Sequence, residues 1–317
     1  MSLPKVTVAV VCLNEEKNIV PCIDSLLGQS YDPKNYEILV IDNNSSDKTQ
    51  KIVRSYQSGG RVRMVVNKKR GIAVSRNVAV REAAYDLLAF TDADCEVPGD
   101  WLKKLVSGYL KYKKKDSLVV AVGGGNVPPS NTTFYQAMGI MLNTYLGSRG
   151  SVQGRRFSKD RFVKHLPCVN VLYEKKAILK IGGFDESLGS IIEDEDLSYR
   201  LWKEKRHFVY LAGVEVIHKM RSNFKSWAKN MFVYGKGRVW FLRRHPEKWS
   251  LAFLAPIALI LLFPTLGGFY LLATLFYSLW VVNEKEKPNL LLLVWAFFVI
   301  THLSYGLGEI WGFFKRS

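Results

Sequence analysis

Two carboxylates have a spacing that could support chemistry. Asp92 and Asp94 follow the apolar run Leu87–Phe90 after a single threonine, Thr91. Alternate residues of an extended strand face the same side, so both carboxylates would project together beyond the carboxyl end of a strand. Paired carboxylate oxygens suit a hard divalent cation that leaves room for substrate phosphates. The alternative is a polar turn in which Asp92 or Asp94 caps the next helix, and the pair alone does not decide between the two.

Four consecutive acids, Glu193–Asp196, open a helix that we predict to continue to Lys203. The helix dipole accounts for one or two acids in a first turn, but four adjacent carboxylates repel one another. Such crowding should raise the pKa of some of these carboxyl groups toward the strength of a general base.

The remaining candidate site residues are a basic segment and one histidine. The cations of Gly147–Lys164 outnumber its single acid, Asp160, which fits either an exposed loop or a cover over an anionic substrate. These cations are Arg149, Arg155, Arg156, Lys159, Arg161 and Lys164. His218 ends the strand-like run Val214–His218, and it is either a structural histidine or a ligand.

The elements that must position these residues alternate between strand and helix. Helices are predicted to end near Gly28, Gln57 and Ala84, and Asn14 is predicted to cap the first of them. Short connections between strands and helices are typical of an α/β fold with a mainly parallel sheet and helices on both faces. The apolar strands are predicted at Val6–Cys12, Glu37–Ile41, Arg61–Val66, the segment ending at Asp92, and Val119–Val122.

Each predicted strand ends in polar residues, and parallel strands share one edge at which ligands usually bind. A nucleotide site at this edge is therefore expected. The chain has no GxGxxG and no Walker lysine motif, so neither dinucleotide nor P-loop chemistry is indicated. The polar exits are Asn14 and Glu15, Asp42, Lys68–Arg70, and Asp92 with Asp94.

The net charge and the cysteine content limit the classes of function that the chain can have. The 317 residues carry a formal net charge of +17, which implies an anionic partner such as nucleic acid, a phosphorylated substrate or an anionic membrane. The 4 cysteines form no CxxC pair, which argues against a zinc site and a disulfide framework. The N-terminus shows no apolar signal region, so we expect the large domain in the cytosol.

The C-terminal third has the composition of a membrane-attached region. Residues 223–249 mix aromatics with cations and are predicted to form a basic amphipathic helix at the membrane interface. Two apolar stretches follow, 251–282 and 289–314, and each exceeds the roughly 20 residues that span a bilayer. These spans favour a membrane partner over nucleic acid. The predicted domains are 1–222 (catalytic), 223–249 (interfacial) and 250–317 (transmembrane).

The number of spans depends on the first apolar stretch. Pro264 could kink one long helix or separate two shorter ones. Cations flank both ends of the region, which by the positive-inside rule favours two spans with both ends in the cytosol. These flanking cations are Arg243, Arg244, Lys248, Lys315 and Arg316.

Motifs in chain order give the sequence a resemblance to the family 2 glycosyltransferases of the GT-A fold, a Rossmann-like, mostly parallel mixed sheet. The resemblance covers about residues 5–245. The motifs are Val8–Glu16, Val40–Asp47, Gly71–Asn77, Phe90–Asp94, and Gly182–Asp185 followed by Glu193–Leu197. The sequence departs from the family at Asp42–Asn44, where many members have two acids. His302–Gly308 is similar to the last span of membrane-attached members that build exopolysaccharide or lipid-linked glycans.

The resemblance implies roles for individual residues. Asp92 and Asp94 would bind Mg²⁺ or Mn²⁺, and His218 would complete the metal shell or touch the diphosphate. Asp194 would be the general base, supported by Glu193 or Asp196. The nucleotide sugar would contact Leu13, Asn14, Glu15, Asp42, Arg76, Asp92 and Ala93. Acceptor or diphosphate contacts are expected from Arg155, Arg156, Lys219 and Arg221.

The expected function is that of a multi-pass membrane enzyme with its catalytic domain on the cytosolic face. It would move one sugar, with inversion, from a nucleotide sugar (UDP-sugar favoured) to a hydroxyl of a polyprenyl-linked or surface glycan. Single transfer is favoured because the QxxRW motif of processive synthases is absent after His218. One alternative is a polyprenyl phosphate sugar synthase using GDP-mannose or UDP-glucose. Another is a non-catalytic, membrane-tethered anion-binding protein.

Overall fold

A computed structural model describes residues 3–188 and 191–315. The described residues form two compact units. The first contains residues up to Val127 together with Arg156–His218, and the second contains Pro128–Arg155 together with residues from Lys219 onward. This division differs from the predicted domain boundary at residue 222, because residues 128–155 group with the C-terminal helices.

The strands are β1 Val6–Cys12, β2 Tyr36–Asp42, β3 Val62–Val66, β4 Leu87–Asp92, β5 Cys95–Glu96, β6 Val119–Gly123, β7 Asn126–Val127, β8 Arg161–Val163, β9 Asn170–Glu174, β10 His207–Tyr210 and β11 Val216–His218. The helices are α1 Ile19–Leu27, α2 Thr49–Tyr56, α3 Ile72–Glu82, α4 Trp101–Lys115, α5 Thr133–Leu142, α6 Tyr145–Ser148, α7 Lys175–Lys180, α8 Glu193–Lys203, α9 Phe224–Arg244, α10 Ala255–Glu284 and α11 Leu291–Phe314.

The first unit is built on an 8-stranded mixed sheet in the order β3-β2-β1-β4-β9-β6-β10-β8. The first four strands in this order are parallel, as expected from the βαβ pattern. β9 runs antiparallel to both of its neighbours, and β8 forms an antiparallel edge. The predicted α/β class with a mixed sheet is confirmed.

Strand register brings the polar exits together at one edge of this sheet. β1 pairs with β2 so that Cys12 lies opposite Asp42, and with β4 so that Val11 lies opposite Asp92. The strands β1, β2 and β4 are buried along almost their whole length, which fits their uninterrupted apolar sequences. Burial of these strands fixes where their polar ends emerge.

A second sheet of three short strands, in the order β5-β11-β7, carries His218. The strand-like run Val214–His218 is a strand only from Val216, and this strand, β11, lies outside the main sheet. Asn170 links the two sheets, because its buried carboxamide donates to the carbonyls of Gly125 and Val214 at 2.8 and 2.7 Å.

The prediction that Asn14 caps the first helix is wrong. α1 begins at Ile19, and Asn14 lies outside it with a left-handed φ of 57°. Its carboxamide oxygen accepts the backbone N–H of Ser46 at 2.8 Å. Asn14 therefore joins the loops after β1 and β2, because asparagine tolerates this backbone conformation better than most residues.

The second unit contains two helical segments long and apolar enough to cross a membrane, Leu251–Glu284 and Pro288–Phe314. α10 is one continuous helix with Pro264 inside it, so the first apolar stretch is not divided into two helices. The predicted interfacial segment contains α9. Arg316, one of the flanking cations, lies outside the described residues.

The turn between α7 and α8 in the first unit is held by Asn77 from α3. The Asn77 carboxamide donates to the carbonyl of Phe184 at 2.9 Å and accepts the N–H of Phe184 at 2.8 Å. Gly182 and Gly183 adopt φ values of 81° and 79°. A Cβ on Gly183 would lie 2.5 Å from the Asn77 Oδ1, whereas a Cβ on Gly182 would meet nothing within 4 Å.

This pair of glycines gives a matched test of the turn. Gly182→Ala should cost about 1 kcal/mol, because an L-residue is strained at positive φ. Gly183→Ala should cost about 1–3 kcal/mol more, because it also displaces the buried Asn77 carboxamide from its hydrogen bonds. Thermal denaturation of both purified variants measures the difference, and equal losses of stability would contradict the assigned role of Asn77.

Candidate active site

The exit of β4 places Asp94 against His218. The β5–β11 pairing sets His218 opposite Cys95, and the His218 Nε2 lies 3.3 Å from the Asp94 Oδ2. The other ring nitrogen, Nδ1, lies 2.9 Å from the carboxamide nitrogen of Asn126. The neighbouring strands therefore hold the imidazole in a fixed orientation beside the carboxylate.

This corner of the site fits a divalent cation. Among the described residues, ligand atoms of Asp94, Cys95 and His218 lie within 4.8 Å of one another. Burial raises the pKa of the Cys95 thiol well above its ordinary value, so the thiol stays protonated and is a poor ligand. The carboxylate of Asp94 and the imidazole of His218 are the groups that would hold the ion.

Asp92 has a different partner from Asp94. Its Oδ1 lies 3.5 Å from an Arg76 guanidinium nitrogen. Burial raises the pKa of Asp92, and the charge of Arg76 opposes that shift. The chain turns at Ala93, which is buried, so the strand alternation behind the prediction does not extend to Asp94. A role for Asp92 as a metal ligand stays a prediction.

Arg76 lies at the centre of the charged groups of the site. Its side chain is 4% exposed and forms an ion pair with Glu193 at the start of α8. The guanidinium carbon lies 5.9 Å from the centroid of the Phe184 ring. In this arrangement Arg76 binds protein carboxylates from β4 and α8, so it links the two acidic parts of the site.

Two of the acids that begin α8 are buried anchors. Burial raises the pKa of Glu193 above its ordinary value, while the Arg76 guanidinium acts in the opposite direction. Asp196 is fully buried and accepts the Nε–H of Arg200 at 2.7 Å. Arg200 also donates to the carbonyl of Gly183 at 2.7 Å, so Asp196 helps to hold the turn before the helix.

Asp194 differs from these neighbours because its side chain is 23% exposed. The backbone N–H of Cys168 donates to its Oδ2 at 3.4 Å, and the His165 Nε2 lies 3.7 Å from the same oxygen. Burial by itself raises the pKa of Asp194, but His165, Arg76 and the Cys168 N–H outweigh it and hold the pKa below its ordinary value of 3.8. The expectation that the pKa of some of these carboxyl groups is raised therefore holds for Glu193, whereas the pKa of Asp194 shifts in the opposite direction.

The residues expected to contact the nucleotide lie in two joined loops. The N–H groups of Asn14 and Glu15 donate to the hydroxyls of Ser45 and Thr49, each at 2.8 Å. Asp42 is fully buried, and its Oδ1 accepts from the Ser45 N–H at 2.9 Å and from Gln50 at 2.8 Å. Leu13 is 41% exposed at the tip. Each contact with a nucleotide stays a prediction.

The four basic residues expected to contact acceptor or diphosphate are divided between the units. Arg156 belongs to the first unit, and Arg155, Lys219 and Arg221 belong to the second. These four residues therefore do not form one cluster within either unit.

Sequence reasoning missed three polar residues of the site. Asn126 follows an apolar strand and a glycine run, so the polar-exit pattern could have identified it. Asn43 is buried, and its Oδ1 has no hydrogen-bond partner, which leaves an acceptor beside Asp42. His165 directly follows the basic segment Gly147–Lys164, and no hydrophobic periodicity in the sequence identifies it. Only the fold brings it close to Asp194.

Comparisons with known proteins show the family of the chain. The family described as glycosyl transferase family 2 matches residues 7–182, more than half of the chain. The chain is 28% identical to the succinoglycan biosynthesis protein ExoA of Rhizobium meliloti over 95% of this chain and 92% of that protein. It is 23% identical, over 95% of both chains, to the dolichyl N-acetyl-alpha-D-glucosaminyl phosphate 3-beta-D-2,3-diacetamido-2,3-dideoxy-beta-D-glucuronosyltransferase of Methanococcus voltae.

Solved structures support the fold. The chain resembles the mannosyltransferase PcManGT of Pyrobaculum calidifontis, solved with GDP-Man and Mn²⁺, with a TM-score of 0.60 and 17% identity. The match covers 95% of this chain and 87% of that one. GalNAc-T7, solved with UDP, GalNAc and Mn²⁺, matches with a TM-score of 0.53 over 79% and 52% of the two chains.

Removal of either group in the cation corner should weaken binding of Mn²⁺. Asp94→Ala and His218→Ala are each expected to lower the affinity at least about tenfold, because each would remove a proposed direct ligand and even changes in outer-shell partners typically cost tenfold or more. Titration of the metal-stripped full-length protein, followed by the electron paramagnetic resonance of free Mn²⁺, measures this affinity.

A second carboxylate–imidazole pair provides the control for this measurement. Asp116 and His207 lie 2.5 Å apart outside the candidate site. His207→Ala should leave Mn²⁺ binding unchanged. Equal loss of affinity in His207→Ala and His218→Ala would exclude the proposed corner as the metal site.

Proposed function

Because the chain belongs to glycosyltransferase family 2, we propose that it moves one sugar from a nucleotide-sugar donor, UDP-sugar favoured, to a hydroxyl group of a lipid-linked glycan. The transfer inverts the anomeric carbon and takes place at a membrane surface. The observation that carries this proposal is Asp194, an ionised and partly exposed carboxylate that adjoins the buried Arg76–Glu193 pair. Family membership also argues against the non-catalytic, anion-binding alternative.

Donor binding is assigned to the edge where the parallel strands end. The loops after β1 and β2 are tied to each other through Asn14, which gives the nucleotide a formed surface. The Asn43 Oδ1 beside Asp42 has no hydrogen-bond partner but is buried, so contacts with the nucleobase are assigned to the exposed residues of these loops, such as Leu13. These contacts would orient the donor before transfer.

Asp94 and His218 would hold a divalent cation, Mg²⁺ or Mn²⁺. When bound, this cation supplies positive charge for the diphosphate leaving group. The Asn126 carboxamide orients the His218 ring through Nδ1. The buried, protonated Cys95 contributes bulk to this corner without a competing negative charge.

Asp194 is proposed to accept the proton of the acceptor hydroxyl. The hydroxyl oxygen then forms a bond to the anomeric carbon, and the bond from that carbon to the donor phosphate oxygen breaks. Attack opposite the leaving group inverts the configuration and releases the nucleoside diphosphate. His165 and the Cys168 N–H keep Asp194 ionised and oriented for this step.

Membrane attachment is proposed for the second unit. Its two long apolar segments satisfy the length that a bilayer requires, and α9 places cations and aromatics before them. The similarity to a glycan-assembly protein of Rhizobium and to a dolichyl-phosphate-linked sugar transferase of Methanococcus supports a lipid-linked acceptor. We propose that both ends of the chain and the first unit lie on the cytosolic side.

Replacement of the proposed base tests both the mechanism and the acceptor. Asp194→Asn should lower kcat by about 10²- to 10⁴-fold, because a positioned general base contributes that much. Donor and Mn²⁺ binding should be retained. Release of nucleoside diphosphate in the presence of native membrane lipids measures turnover, and Glu195→Gln, a neighbouring acid, is the control expected to keep it. Normal turnover of Asp194→Asn would instead indicate an ionised lipid phosphate as the acceptor.

The low pKa of Asp194 predicts a specific pH dependence. Protonation of Asp194 lowers activity only when pH falls through its pKa, so this group should cause no loss of turnover above about pH 5. His165→Ala removes the largest influence that lowers this pKa, so the acid limb of kcat should shift to higher pH. His207→Ala should leave the profile unchanged. If the acid limb of kcat in His165→Ala stays at the same pH as in the unchanged protein, the assigned role of His165 is contradicted.

A further inference from the structure

A carboxylate in the second apolar segment of the second unit has an unusual environment. Glu309 lies in α11, is 1% exposed, and its Oε2 has no hydrogen-bond partner. An ionisable side chain in a membrane-spanning helix is costly, and such residues generally mark functional sites. The groups around Glu309 indicate which function it serves.

Two arginines gather beside this carboxylate around a single aromatic ring. The guanidinium carbons of Arg149 and Arg238 lie 5.3 and 5.5 Å from the centroid of Phe253. Both charges act on Glu309, yet Glu309 forms no ion pair with either arginine in the described part of the chain. Arg149, Arg238, Phe253 and Glu309 together form an arginine cluster.

Other contacts hold the arginines in place. Arg149 donates to the carbonyl oxygen of Ala252 at 2.6 Å, and the Nε–H of Arg238 donates to the Tyr305 hydroxyl at 3.3 Å. The arginine cluster therefore brings two guanidinium groups and one carboxyl group together.

Close helix packing brings Arg238 to Glu309. A Cβ on Gly235 of α9 would lie 2.0 Å from the carbonyl oxygen of Tyr305 and 2.9 Å from the backbone nitrogen of Glu309. Gly308 approaches α9 in the same way, at 2.0 Å from the carbonyl oxygen of Phe232. Because the backbones touch here, Arg238, one turn after Gly235, is carried alongside α11.

The arginine cluster lies at the end of the helical hairpin where lipid headgroups would be found. Phe253 lies two residues before the start of α10, and Glu309 lies in the second-last turn of α11. At the same end, the rings of Trp249 and Phe313 are 5.9 Å apart, and the Lys315 ammonium lies 5.3 Å from the Trp311 ring. Tryptophan and lysine are typical of the boundary between hydrocarbon and headgroups.

We propose that Arg149 and Arg238 bind the phosphate group of an anionic lipid. Guanidinium groups donate paired hydrogen bonds to phosphate oxygens, and the Phe253 ring between them shields the contact from water. Glu309 limits the positive charge of the site. This inference rests on the proposed function in one respect: the bound lipid is the carrier of the glycan acceptor.

Binding of farnesyl phosphate to the full chain in neutral detergent tests the proposal without any donor. Isothermal titration should detect farnesyl phosphate, whereas farnesol and inorganic phosphate at the same concentration should not bind. Arg149→Gln and Arg238→Gln should each weaken binding about tenfold or more, since a charged hydrogen bond contributes about 1.5–3 kcal/mol. Arg238→Lys should also weaken it, because the paired donors are lost.

Two further variants separate this site from general electrostatic attraction. Lys229→Gln removes one exposed positive charge from the same helix and should leave the affinity unchanged. Glu309→Gln removes a negative charge with little change of shape and should tighten binding. The proposal is overturned by equal losses in Lys229→Gln and Arg238→Gln, by weaker binding in Glu309→Gln, or by inorganic phosphate binding as well as farnesyl phosphate.

Sugar transfer, measured separately, distinguishes failure of the site from failure of the proposed function. Farnesyl phosphate binding that depends on both arginines, with no transfer to any lipid-linked acceptor, would leave the site standing and reject the acceptor assignment. Unchanged transfer to a lipid-linked acceptor in the Arg149→Gln, Arg238→Gln double variant would reject the site and keep the enzyme function.

Discussion

Within the first unit, Arg76 is buried against carboxylates from two separate elements. It contacts Asp92 at the end of β4 and Glu193 at the start of α8, and removing one partner from a buried ion pair generally costs about 3–5 kcal/mol. The strand and the helix are therefore held in one relative position. Asp94 and Asp194, which adjoin these two anchors, are placed by the same contact.

The acid cluster illustrates how one sequence pattern divides into different roles. Glu193 and Asp196 face inward to Arg76 and Arg200, because residues three apart on a helix share a face. Asp194 lies off this face, keeps some exposure and receives the Cys168 N–H. The inward carboxylates of Glu193 and Asp196 therefore hold the helix in position. Asp194 stays ionised and partly exposed, as a general base requires.

Both units use close backbone approach to bring charged groups together. In the first unit, Gly183 leaves room for the Asn77 carboxamide, which anchors the turn leading to α8. In the second unit, Gly235 lets α9 approach α11 until Arg238 lies beside Glu309. A side chain at either glycine would push the partner element away, so the charged clusters depend on these glycines as well as on their own residues.

The sequence by itself determined the α/β alternation, the polar strand exits, the two long apolar segments and the family motifs. These features depend on periodicity and spacing along the chain, which local physical chemistry dictates. Only the tertiary structure decided the antiparallel half of the sheet, the grouping of residues 128–155 with the C-terminal helices, and the opposite pKa shifts of Glu193 and Asp194. The tertiary structure also decided which charged side chains that are distant in sequence lie close together. The physical reason is that burial and pairing depend on neighbours far apart in sequence, such as Arg76 with Glu193 and Asp94 with His218.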